Sequence, residues 1–228
     1  MTAVYTNRDR AAQAASDPIP KHNEDMSREP DWRLKIAAHQ RRYFNALAEV
    51  FDAPQPPEVM DRLRQVVGAA EVHPGDVVLD VGTGAGVLLP LIRHYQPSVV
   101  LACDLAEQML ARIRPNHPYA RVLQCDVVWL PLKPASVDVI FMNAMYGNIA
   151  DKHAACANAA EVLQPGGRLV ISHPEGKAFL DRLRASTDLF IEPFPTKEAF
   201  RAFAAPLGLQ VVRYRDEPKL YLLVARKM

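Results

Sequence analysis

Residues 77–86 read Val77-Val78-Leu79-Asp80-Val81-Gly82-Thr83-Gly84-Ala85-Gly86, and an apolar helical pattern continues from Gly86 to His94. A short apolar run ending in closely spaced glycines is the form of a buried strand that turns sharply into a helix. Glycine accepts the positive φ of such a turn and lets a ligand approach the backbone, while a helix start offers free N–H groups.

Outward from this unit the alternation repeats. Strands are expected at Val99–Cys103, Arg121–Cys125, Val137–Met142 and Arg168–Ser172, with helices through Met109–Ile113, over Ala150–Leu163, and near Lys177–Ala185 and Lys197–Ala204. Pro165-Gly166-Gly167 reads as a helix stop. Nearly continuous apolar strands between helices indicate a parallel sheet covered on both faces. The last two runs, Leu209–Tyr214 and Leu220–Ala225, leave no room for a crossover helix, so they must pair antiparallel. Upstream, Asp31 is placed to cap a helix through Trp32, Ile36, Phe44, Leu47 and Phe51; Pro54, Pro56 and Pro57 end it, and a second helix carries Val59 to Val67. Residues 1–30 are polar, with Pro18, Pro20 and Pro30, and read as a flexible tail. The expected organisation is that tail, a helical cap over 31–72 and an α/β core over 73–228.

The glycine spacing is G-x-G-x-G. A dinucleotide fingerprint would place its third glycine where Val87 stands, and the lysine of a P-loop is missing. Asp80 at the strand end would repel a pyrophosphate but suits a cationic ammonium group. Asp104, ending the second strand, is placed to accept hydrogen bonds from both hydroxyls of a ribose. Asp126, after the third strand, can accept from an adenine amino group, with an Asx turn as its competing role.

Four ordered blocks carry a resemblance: VLDVGTGAG at 78–86, CDLAEQML at 103–110, CDVVWLPLKPASVDVIFMN at 125–143 and VLQPGGRLVISHP at 162–174. Together they resemble the class I S-adenosylmethionine-dependent methyltransferases of the methyltransferase-11/25 type. The resemblance implies a three-layer, Rossmann-like α/β sandwich. Its sheet would have seven mostly parallel strands, the last antiparallel, with the N-terminal helices as a lid. It implies S-adenosylmethionine as cofactor and S-adenosylhomocysteine as product. Asp80, Gly82, Thr83 and Gly84 would form the cofactor loop, with Gly86 at its helix start. Asp104 would hold the ribose, Leu105 and Met109 would border the adenine, and Asp126 and Val127 would meet its amino group and ring. Asn143 would sit by the methionine end. Ala106 stands where the family often has Ser, removing one minor contact. GNIADK at 147–152 and ISHPEGK at 171–177 resemble, more narrowly, uncharacterised methyltransferase-like proteins of cyanobacteria and plastids.

On the acceptor side, Tyr146, Asn148, His153 and His173 follow the fourth and fifth strands. His173 and Tyr146 are the catalytic candidates; His173 would take the proton of an acceptor hydroxyl, against the competing role of a histidine bonded within a loop. Arg41, Arg42, Tyr43 and Phe44 are candidate lid residues, while His153 is expected on an exposed helix face. Lys and Arg number 27 against 26 Asp and Glu, which disfavours a nucleic-acid partner and points to a small-molecule acceptor. Cys103, Cys125 and Cys156 read as buried thiols, and the scattered histidines predict no metal site. With neither a membrane-length apolar run nor a signal-peptide core, the cytoplasm is the expected location. Two other classes share the loop and Asp104: an NAD-dependent oxidoreductase and a non-catalytic cofactor-binding regulator. A spermidine-synthase-like aminopropyl transferase shares the fold, but no paired acids for a polyamine stand out.

Overall fold

The computed structural model describes residues 31–187 and 189–228; the expected N-terminal tail lies outside them. Strands β1 (Val77–Val81), β2 (Val99–Asp104), β3 (Ala120–Gln124), β4 (Val137–Asn143), β5 (Leu163–His173), β6 (Leu209–Glu217) and β7 (Leu220–Lys227) form one seven-stranded sheet. Their spatial order is β3-β2-β1-β4-β5-β7-β6. Neighbours among β1 to β5 are parallel, and β7 lies antiparallel between β5 and β6. The helices are α1 (Trp32–Ala46), α2 (Ala48–Phe51), α3 (Pro57–Ala69), α4 (Leu89–Arg93), α5 (Glu107–Asn116), α6 (Lys152–Val162), α7 (Gly176–Ser186) and α8 (Lys197–Ala204).

Successive strand residues point to opposite faces, and each face has its own core. Val78, Val100, Val139, Phe141 and Val170 pack with Leu63 and Val66 of α3, Ile92 of α4 and Ile113 of α5. Leu79, Val81, Ile140, Met142 and Ile171 pack with Tyr43 of α1, Ala159 of α6, Leu180 of α7 and Phe200 of α8. Burial of each such side chain stabilises the fold by about 1.5–3 kcal/mol. The result is the expected three-layer sandwich. Of the two N-terminal helices expected as a lid, α1 packs on the face of Leu79, Val81 and Ile140. The stripe Val59, Leu63, Val66 and Val67 draws α3 into the opposite core.

Several boundaries differ from the sequence reading. The Asp31 side chain makes no cap hydrogen bond, and the helix through Phe51 is interrupted at Leu47, a buried residue of the main core. Pro57 opens α3 instead of only ending its predecessor, since a proline at the first helical position lacks an N–H that would be unsatisfied anyway. After the glycine loop the chain passes through turns, and α4 begins only at Leu89. α6 ends at Val162, before the expected Pro165-Gly166-Gly167 stop, which lies within β5 as an irregularity. Leu163 pairs with Val137, and pairing resumes with Arg168 opposite Val139.

Candidate functional site

β1 has β2 on one side and β4 on the other, so the connections leaving their carboxyl ends diverge and open a crevice. A cavity of about 660 Å³ occupies it. Asp80, Gly82, Thr83, Gly84, Asp104, Leu105, Met109, Asp126, Val127 and Asn143 all line this cavity. Gly86 does not. With φ +91°, its added Cβ would lie 2.9 Å from both His117 and Leu89, so this glycine serves the turn and not the cavity.

Three carboxylates face the cavity from the ends of adjacent parallel strands. Asp80, 2% exposed, accepts a 2.8 Å hydrogen bond from the Thr83 hydroxyl. Burial pushes its carboxyl up to about 7, and no basic side chain pairs with it among the described residues. Asp104 Oδ2 accepts from the Gly84 backbone N–H and Oδ1 from that of Ala106, both at 2.9 Å. Burial raises this carboxyl too, against the lowering effect of those backbone bonds. Asp126 Oδ1 accepts from the Val128 N–H at 3.1 Å, so the Asx-turn role does operate, and the residue also lines the cavity. Desolvation raises it as well.

The loop between them is open to a ligand at one position. A Cβ built on Gly84 (φ +57°) meets nothing within 4 Å, whereas one on Gly82 (φ +63°) would lie 2.7 Å from the Met145 side chain. Met109 fills both roles considered for it: it lines the cavity and packs with Ala48 and Ala106. Asn143 receives the Ser172 hydroxyl on Oδ1 at 2.9 Å, which fixes its amide.

The two catalytic candidates are placed elsewhere. His173 is 2% exposed, does not line the cavity, stacks on Phe179 and meets Phe194 edge-on. Its Nδ1 accepts from the Glu175 N–H, and burial drives the imidazole down to about 3, so it is neutral. Tyr146 is buried among Phe194 and Phe200 with its hydroxyl pushed well up by desolvation. His173 ends β5 and Tyr146 lies in the turn after β4, and in both cases the aromatic neighbours hold the ring in the core, away from the crevice. His153 is exposed beside Phe203, as expected of a helix face. Phe44 lines the cavity, Tyr43 is core, Arg41 pairs with Glu107, and Arg42 points to solvent.

Residues missed in the sequence complete the wall. Arg33, Leu34, Ala37 and Gln40 come from α1, Ile149 and Asp151 follow β4, Leu180 and Leu183 come from α7, and Leu189 lies beyond it. The amphipathic pattern of α7 signals only that one face is buried, not that part of it borders a ligand. Cys103 and Cys125 also line the cavity, their sulfurs 2.7 Å apart. The mutual hydrogen bond, burial and the charges of Asp104 and Asp126 hold the Cys103 thiol protonated, as expected of an inert buried cysteine.

The site, fold and sequence converge on one class. The profile of the family described as "Methyltransferase domain" matches residues 79–171, which include β2, β3 and β4 and most of β1 and β5. Residues 79–171 thus carry the pattern of a methyltransferase domain, and the relatives that match include S-adenosylmethionine-dependent methyltransferases. The chain is 35% identical, over 58% of its length and 46% of the relative's, to the malonyl-[acyl-carrier protein] O-methyltransferase of Halorhodospira halophila. It is 31% identical to the demethylmenaquinone methyltransferase of Streptomyces avermitilis, over 51% of each chain. The chain thus spans about half the length of these relatives. In fold it is similar to a SAM-dependent methyltransferase from Aquifex aeolicus (TM-score 0.64, 20% identity, covering 81% of this chain and 98% of the other). No helix among the described residues is long and apolar enough to cross a membrane, and no cluster of His, Cys, Asp and Glu among them suits a metal ion.

Proposed function

We propose that residues 31–228 act as one unit that transfers the methyl group of S-adenosylmethionine to a small molecule by in-line displacement. The observation that carries this reading is Asp80: a buried carboxylate facing a ligand-sized cavity with only a hydroxyl for a partner. A buried charge of that kind calls for a cationic ligand. The cofactor residues fit. Asp80 would meet the ammonium group, directly or through water. Asp104, each oxygen still able to accept a second hydrogen bond, would take the ribose hydroxyls. Leu105, Met109 and Val127 would enclose the adenine, Asp126 would accept from its amino group, and Gly84 would let the ligand pass close to the backbone.

When bound, the sulfonium supplies an activated methyl group, so the chain is asked for little covalent chemistry. Its residues orient the two reactants and keep water out, with α1 as cover. The positions of His173 and Tyr146 support a reaction in which neither is the proton acceptor. An NAD-dependent oxidoreductase is less well supported, since Asp80 and Val87 both line the cavity where a pyrophosphate would need room without negative charge. The test is incubation of the protein and radiolabelled methyl donor with a cell extract, followed by fractionation of labelled product. Label in a small molecule, lost in Asp104→Ala, is the expected result. Tight S-adenosylhomocysteine binding without any labelled product would instead identify a non-catalytic binder.

A further inference from the structure

We infer that the acceptor is an uncharged, hydrocarbon-rich small molecule lodged between α1 and α7. The inference rests on the methyl-transfer reading, and concerns the half of the cavity which that reading leaves unassigned. Strand order puts the residues that follow β4 and β5 on the far side of β1 from Asp104 and Asp126. There the wall is made by Leu34, Ala37, Ile149, Leu180, Leu183 and Leu189.

Charge in this half is already neutralised. Its charged side chains are Arg33 and Asp151, which pair with each other at 3.2 Å. The second oxygen of Asp151 accepts the Ala154 N–H at 3.0 Å, capping α6. Gln40 donates its amide to the carbonyls of Asn148 and Phe190, at 2.6 and 3.3 Å. A charged guest would leave water without a counter-ion, whereas an apolar one is favoured in proportion to the area it buries.

The rim supports the same class of guest. Leu34, which belongs to this half of the wall, is 68% exposed. A large apolar side chain exposed at the mouth of an apolar pocket marks a surface that a ligand covers.

The test is calorimetric titration with neutral 4-n-alkylphenols, from 4-propylphenol to 4-octylphenol, in the presence and absence of S-adenosylhomocysteine. Affinity is expected to rise about fourfold per added methylene, the value of full burial. The anion 4-hydroxybenzoate should bind more weakly than 4-propylphenol. Leu34→Asn, at an exposed position, and Leu183→Asn should each flatten the series while leaving the S-adenosylhomocysteine Kd unchanged. A series that is flat in the wild type, a gradient unchanged in both variants, or tighter binding of the anion overturns the inference. Failure of S-adenosylhomocysteine to bind, with the gradient intact, would sink the donor reading alone.

Discussion

The backbone N–H of Gly84 donates to Asp104 Oδ2 across 2.9 Å, so the glycine loop after β1 and the acid at the end of β2 hold each other in place. One group at the centre of the site thus fixes the loop and also faces the cavity. Asp104→Ala should therefore lower S-adenosylhomocysteine affinity by roughly 100-fold, the order expected for losing two hydrogen bonds to a charged acceptor. Calorimetry measures it. Wild-type affinity in the variant would remove Asp104 from the ligand's contacts.

Asp80 makes binding proton-linked. Burial raises its carboxyl to about 7, so near that pH about half of the free protein carries the proton. A ligand ammonium requires the ionised form. Affinity should fall as pH drops below 7, approaching tenfold per unit, and binding at pH 7 should release about half a proton. Titrations in buffers of differing ionisation enthalpy report that release.

The same shift has an opposite consequence for stability. A carboxyl whose pKa is raised by folding contributes stability that is present below its ordinary value of 3.8 and lost as pH rises through about 7. Relative to wild type, ligand-free Asp80→Asn should gain stability between pH 4 and 7 and keep that gain above 7, while losing ligand affinity. Thermal melts across that range check the sign. A constant difference at all pH values would show that Asp80 is ionised throughout.

Two glycines of one loop should respond differently to alanine. Both have positive φ, a cost of about 1 kcal/mol for any side chain. At Gly82 the added methyl also strikes Met145, so Gly82→Ala should be clearly the less stable variant. At Gly84 the methyl enters open cavity, so Gly84→Ala should melt nearer to wild type yet bind S-adenosylhomocysteine at least tenfold more weakly. Equal binding by the two variants would place the ligand elsewhere.

His173→Gln should leave methyl transfer and its pH profile unchanged, short of the ~10²-fold loss that removal of a general base brings. Its depressed pKa of about 3 means that the neutral imidazole contributes stability above its ordinary 6.5, lost progressively as pH falls toward 3. The variant should therefore lose less stability than wild type between pH 7 and 4. A collapse of kcat with an altered pH limb would restore His173 to the chemistry.

The donor half of the site was legible because its determinants are local. Asp80 and Asp104 lie at the carboxyl ends of β1 and β2 and Asp126 just past β3, and parallel neighbours bring strand ends together without further information. The acceptor half depends on how α1 and α7 lie across the sheet, and their amphipathic patterns record that each has a buried face without recording against what. Thus nothing in the sequence marks Leu180 and Leu183 as cavity residues, and His173, at a strand end, is core. The roles of α1 and α3 were equally hidden, since both carry apolar stripes and only packing assigns them to opposite faces.

The insertion of β7 between β5 and β6 bears on how the chain is made. A polypeptide leaves the ribosome N-terminus first, and β1 to β4 can associate while later residues are still being synthesised. The outer edge of β5 has no neighbour until β7 emerges, because β6, though made earlier, pairs only with β7. The half of the crevice beside β1, β2 and β3 can therefore form during translation, while the half bounded by α7 gains its supporting strand last.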